Sequence, residues 1–214
     1  MKKLIYLSLI TVTLGCSKEK NTAEAEQKST TEIIKNDSIT AVPQPQKLNK
    51  NEQLKNLNSE ILAALKSKNY NRFSEFIHPE KGIRFSMYAY VQPGKNKHFS
   101  REDFIRYIST STKFTWGEKD GSGDLLVIPL KEYLETWVSK RDFTKSEFYL
   151  NEFKGTGNSL NNLKQIYPDK DFTENYIPGS EKYGGMDWNS LRFVFEDFQG
   201  EYFLVAVVND EWTS

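Results

Sequence analysis

Charged and aromatic side chains recur at strand spacing in this sequence from residue 84 onward. Arg84, Tyr88 and Tyr90 fall on one side of a period-two run whose other side is Ile83, Phe85, Met87, Ala89 and Val91. Arg192 and Glu196 share a side of a later run, Asp210 and Trp212 a side of the last one, and Asp187-Trp188 stands just before the pair. Brought together by a curved sheet, Arg84, Tyr88, Tyr90, Trp188 and Arg192 would wall a pocket with rings and guanidinium groups, which suits a small polar ligand. The same parts could do chemistry, with Asp187 or Asp210 as a general base and Tyr88 or Tyr176 as a hydrogen-bond donor in a lyase, isomerase or hydrolase. A plainer reading competes with both. Arg84 or Arg192 pairs with Asp187 or Asp210 to hold strand ends, and the tryptophans cover the open end of a sheet.

Other sources of chemistry are thin. The sequence contains no G-x-S-x-G, H-E-x-x-H, P-loop or G-x-G-x-x-G pattern. Asp120-Gly121-Ser122-Gly123-Asp124 offers oxygens to calcium, but an EF-hand loop counted from Asp120 needs Gly and Glu where Leu125 and Lys131 stand. The stretch reads as a tight turn whose glycines supply positive φ. His78, before Pro79, reads as a helix-end cap, and His98 as a solvated member of a loop with Lys95 and Lys97. No metal site and no cofactor is expected. With 29 basic against 29 acidic residues, the chain lacks the cationic excess that gripping nucleic acid requires.

The elements that must position these residues begin near residue 51. Of 29 aromatic residues only Tyr6 precedes Tyr70, so the packed domain is assigned to residues 51–214. Eight basic and five acidic side chains precede it, leaving 21 and 24 inside, a net of −3. Leu54, Leu57, Ile61, Leu62 and Leu65 lie at helical spacing, and a shorter helical turn carrying Phe73, Phe76 and Ile77 stops at Pro79. Ser100 with Asp103, flanked by Phe99 and Phe104, starts a helix over 101–109. Strand and helix signals then alternate: a strand through Phe114 and Trp116, a helix after Pro129, strands over 147–153 and 172–177 with a short helix over 160–166 between them. A hairpin over 191–212 turns at Gln199-Gly200. Early helices and late paired strands predict an α+β fold, with N-terminal helices on a curved, mainly antiparallel sheet shaped like a cone.

The first residues address the protein. Met1-Lys2-Lys3 precedes an apolar stretch from Leu4 to Leu14, then Gly15 and the single cysteine, Cys16. As a helix, this eleven-residue stretch rises about 16 Å, half a bilayer core, which fits a secretory signal over residues 1–15 rather than a spanning anchor. Thr13-Leu14-Gly15-Cys16 resembles the lipobox of bacterial lipoproteins, with Thr13 and Leu14 where Leu and then Ala or Ser are usual. The resemblance implies cleavage before Cys16, lipid on its sulfur, and a partner in the membrane of the cell envelope. From Cys16 to residue 50 there is no aromatic residue, and Pro43-Gln44-Pro45-Gln46 adds to a composition that predicts a disordered tether.

Five segments, HPEKGIRFSMYAYV (78–91), FTWGEKDGSGD (114–124), GNSLNNLKQIYP (157–168), MDWNSLRFVFED (186–197) and YFLVAVVNDEWT (202–213), together resemble a family of bacterial secreted proteins and lipoproteins with no assigned activity. Where that pattern commonly carries Pro, Met87 stands here. The order of helices, curved sheet and terminal hairpin is similar to the cone of nuclear transport factor 2 and ketosteroid isomerase, a likeness of fold and not of function. The expected protein is therefore a membrane-anchored lipoprotein whose domain binds a small molecule, a glycan or an envelope protein. The pocket enzyme is the alternative.

Overall fold

The computed structural model describes residues 48–213. The signal segment, Cys16 and the tether up to residue 47 lie outside the described residues. The chain enters at Asn49, whose side chain accepts from the Glu52 N–H at 3.0 Å while the Glu52 carboxylate accepts the Asn49 N–H at 3.2 Å. This reciprocal box satisfies two of the free N–H groups at the start of α1, Lys50–Lys66. Leu54, Ile61, Leu62 and Leu65 form its buried stripe, and each fully buried aliphatic side chain contributes about 1.5–3 kcal/mol. Helix α2, Tyr70–Phe76, adds Phe73 and Phe76 to the same core.

Eight strands follow in chain order: β1 Ile83–Ser86, β2 Lys97–Phe99, β3 Lys113–Glu118, β4 Leu125–Pro129, β5 Glu147–Leu150, β6 Asp171–Ile177, β7 Asn189–Phe198 and β8 Glu201–Glu211. Six make one sheet in the order β2-β1-β8-β7-β6-β5, antiparallel throughout except where β1 lies parallel to β8. The other two, β3 and β4, form a separate ribbon. Between the pairs Val194↔Ala206 and Phe195↔Leu204 the residue Val205 is extra, a bulge that bends the longest hairpin and curves the sheet. The fold is α+β, helices on a curved and mainly antiparallel sheet.

One face of the sheet carries Leu191, Phe193, Phe195, Leu204 and Val207 against α1, α2 and the ribbon. On that face Asn58 of α1 is buried, and it meets β6 with matched groups: its Nδ2 donates to Asn175 Oδ1 at 2.9 Å and its Oδ1 accepts from Thr173 Oγ1 at 2.6 Å. The opposite face carries Phe172, Val194, Ala206 and Val208. Residues 151–170, which include the short helix α5 Leu163–Ile166, cover it with Phe153, Leu163, Ile166 and Tyr167. Asn162 pins this covering segment by bonding both the N–H and the C=O of Val91, at 2.7 and 2.9 Å.

The structure departs from the sequence reading in detail. The run 83–91 stays a strand only to Ser86, whose Oγ then donates to the Tyr88 C=O at 2.7 Å and turns the chain. Met87 therefore packs in the helix-side core while Val91 joins the opposite cluster, and the expected single apolar side is split. The strand after Glu147 ends at Leu150 because Asn151 takes φ 58°. Helix α3, Arg101–Tyr107, starts on the Ser100 cap, with the Ser100 side chain accepting the Asp103 N–H at 3.0 Å. After Pro129 the chain forms α4, Leu130–Tyr133, then a π-helical turn, Leu134–Val138. Among the described residues no helix is long and apolar enough to cross a membrane.

Candidate functional site

The loop that leaves β1 and the β3–β4 ribbon enclose a cavity of about 520 Å³, within the roughly 300–1,000 Å³ typical of ligand sites. Tyr88, Tyr90, Gln92 and Lys95 come from the loop, Lys97 from the start of β2, and Thr115, Gly117, Glu118 and Leu125 from the ribbon. A second depression of about 460 Å³ shares Tyr88, Tyr90 and Glu118 with it and extends the cleft to Leu160 and Thr213. Trp116 lines the first cavity and lies flat on Tyr133 with ring centroids 3.6 Å apart, so this wall is rigid. Tyr88 is held edge-on to Trp137 at 5.9 Å, and its oxygen accepts the Asp120 N–H at 2.8 Å, which ties the tip of the ribbon to the loop. Burial raises the Tyr88 phenol above its usual range, so it stays protonated and can donate. Tyr90, 46% exposed, presents its ring to solvent. Rings, amides, a carboxylate and two ammonium groups thus face one open cleft.

Arg192 lies elsewhere, on the sheet face covered by residues 151–170. It is fully buried, its Nη2 donating to Asp210 Oδ2 at 2.8 Å, Glu174 Oε1 at 3.0 Å and the Gly155 C=O at 2.9 Å, with its guanidinium 5.0 Å from the Phe153 ring. Glu174 also accepts the N–H groups of Lys154 and Gly155, at 2.8 and 3.0 Å, and the Ser190 hydroxyl. Two carboxylates thus share one guanidinium in a sealed site. Burial pushes Asp210 up to about 6 although Arg192 opposes the shift. The pairing of Arg192 with Asp210 at the strand end is the structural role weighed in the sequence reading, with Glu174 as a partner that reading did not contain.

The remaining sequence candidates are dispersed. Arg84 donates to the carbonyls of Pro93 and Asn96, at 2.7 and 3.3 Å, and so shapes the loop that carries Lys95 and leads into β2. Asp187 accepts from the N–H and hydroxyl of Ser180, at 2.6 and 3.0 Å, and these bonds hold its carboxyl below the usual range. Trp188 is buried over the covering segment, and a Cβ on Gly155 would stand 2.6 Å from its ring. The Tyr176 ring lies 6.1 Å from it. Of the nominated residues, Tyr88 and Tyr90 share the cleft; Arg192 and Asp210 share the buried cluster; Arg84, Asp187, Trp188 and Tyr176 line neither cleft depression. Gln92, Asn96, Glu118 and Leu125 complete the cleft without having been singled out, since only the folding of the ribbon onto the loop makes them neighbours. His78 is buried, its Nδ1 accepting the N–H groups of Glu80 and Lys81 at 3.2 and 3.0 Å, and burial lowers its pKa. Gly121 and Gly123 take φ of 78° and 72° in the ribbon turn. Among the described residues no three His, Cys, Asp or Glu side chains cluster as a metal site would require.

No family model matches the sequence, and no curated protein matches it. Solved structures do. One, described as a provisional calcium/calmodulin dependent protein kinase II association domain from Xanthomonas campestris, is 11% identical, covers 79% of this chain and 92% of its own, and superposes with a TM-score of 0.33. At that score the likeness carries no argument about this chain.

Proposed function

We propose that this chain is a lipid-anchored protein of a bacterial cell envelope whose domain binds a small ring-shaped ligand, of the saccharide class, in the Tyr88–Tyr90 cleft. The observation that carries the reading is the pairing of two tyrosines, one fixed and one exposed, along both depressions of a single cleft. Tyrosine offers a large contact area at low entropic cost, and the neighbouring Gln92, Asn96, Lys95 and Glu118 supply the hydrogen bonds that hydroxyl-rich rings demand. Binding without catalysis is favoured because both nominated bases are engaged: Asp187 by Ser180, Asp210 by Arg192. The anchor rests on the lipobox-like Thr13–Cys16 alone.

Titrating the full chain with a panel of neutral and anionic saccharides, followed by amide NMR, tests the cleft. At least one member should shift residues 86–97 saturably, and Tyr90→Ala should weaken it about ten-fold at unchanged melting temperature, the loss expected of an aromatic anchor. A silent panel, or a Tyr90→Ala variant that binds equally well, rejects the reading. For the anchor, incorporation of a fatty-acid probe in cells should vanish in Cys16→Ala; labelling that survives this change places the lipid elsewhere, and an unlabelled natural chain rejects the anchor.

A further inference from the structure

A separate hollow of about 270 Å³ opens between the last turn of α1, the first residue of α2 and residues 135–144, and shares no lining residue with the cleft. Its apolar surface comes from Leu62, Leu65, Phe143 and Leu191, none more than 7% exposed. Lys66, Lys68, Lys140 and Arg141 stand around it against two carboxylates, Glu135 and Asp142. Both carboxylates are already matched. Glu135 pairs with Lys68 at 3.1 Å and accepts from the Tyr70 phenol at 3.3 Å. Asp142 pairs with Lys66 at 2.7 Å, and this bond with that from Thr144 holds its carboxyl down at about 2. Lys140 pairs with Glu211, which lies outside the hollow. Arg141 is the least committed cation: its Nη2 donates to the Asp187 C=O at 3.2 Å, the Asp187 carboxylate lies 3.9 Å away, and its Nε and Nη1 have no partner among the described residues.

The backbone adds an independent sign. Helix α1 ends in a Schellman turn, with the Asn69 N–H on Ala64 O at 2.9 Å and the Lys68 N–H on Leu65 O at 3.1 Å. Lys68 occupies the left-handed position of that turn, φ 54°, where glycine is favoured and any Cβ is a burden. From there its ammonium reaches Glu135, which sits on the π-helical turn, an irregularity frequent at functional sites. A strained lysine thus neutralises the carboxylate that would otherwise repel an anion from this hollow.

We infer that the hollow binds a small organic monoanion, a carboxylate on an aliphatic or aromatic body, with the body on Leu62, Leu65, Phe143 and Leu191 and the carboxylate on the Arg141 guanidinium. Guanidinium N–H groups make charge-assisted bonds to a carboxylate, and a volume under the roughly 300 Å³ of drug-sized pockets limits the body to about one ring. The inference is independent of the cleft.

Benzoate is the probe and benzamide its neutral isostere. In an amide NMR titration of the full chain, benzoate should saturably shift residues 62–70 and 135–144, with benzamide about ten-fold weaker, as expected for loss of charge-assisted bonds. Arg141→Gln should weaken benzoate to a similar degree. Lys68→Gly should also weaken it while leaving the melting temperature equal or higher, which a merely structural lysine would not do. Benzoate that shifts only residues 86–97 and 115–125, equal affinity for benzamide, or unchanged binding in Arg141→Gln overturns the site. Unchanged binding in Lys68→Gly overturns the role given to Lys68.

Discussion

Asp210 holds its proton to about pH 6 in the folded chain and releases it near 3.8 when unfolded. Between those values the native state binds more protons than the unfolded one, so this group makes the fold more stable as pH falls from 6 towards 4. That difference corresponds to about 2–3 kcal/mol. His78, whose pKa burial lowers, works in the opposite direction as pH falls, so the raw profile mixes the two. Urea unfolding at pH 5 and pH 7 should therefore be compared between the natural chain and Asp210→Asn. The natural chain should gain on the variant by about 1–2 kcal/mol at the lower pH; equal differences at both would show that the carboxyl is not buried as described. Gly155 belongs to the same cluster. A Cβ there would meet Trp188 at 2.6 Å and the Glu174 and Ser190 side chains at 2.9 Å, so Gly155→Ala should cost about 1–3 kcal/mol in the same assay. How much of this was legible differs by residue. Arg192 and Asp210 stood out as charges in apolar strands, and their pairing was one of four that the sequence left open. Glu174 did not, because Asp171–Ile177 reads as an ordinary half-polar strand unless one knows that residues 151–170 cover its second side.

Elements whose periodicity and caps agree were readable because each signal is local. The helical stripe of α1, the Ser100 cap of α3 and the Gln199-Gly200 turn, with φ of 57° and 85°, all coincide with their sequence signals. Ser100→Ala should cost about 1 kcal/mol, since the Asp103 N–H would lose its only side-chain acceptor; an unchanged denaturation midpoint would show that the cap is replaced by water. Failures arose where a distant contact overrides a local pattern. The alternation 83–91 is regular, yet the strand stops at Ser86, whose hydroxyl turns the chain, and Val91 is held instead by Asn162, 71 residues away in sequence. Leaving the sheet after Ser86 is what brings Tyr88 and Tyr90 to face the ribbon and form the cleft.

At the scale of the molecule, the chain enters at one end of the sheet and the cleft lies towards the other. Lys50, the first residue of α1, pairs with Asp171 at 2.8 Å, level with Phe195 and Leu204 across the sheet. The cleft loop departs from Ser86, level with Val208, four residues or about 14 Å further along β8 and three strands away from β6. The entry also sets where the fold starts energetically. The Asn49–Glu52 box is the first structure among the described residues, and it needs nothing before Leu48. A chain beginning at Leu48 should melt at the temperature of the full chain, whereas one beginning at Gln53 loses the box and its two satisfied N–H groups and should be less stable by about 1–2 kcal/mol. Calorimetry of the two truncations decides it. A loss of stability already at Leu48 would mean that residues before it pack on the domain, which would also put the cleft's openness in question.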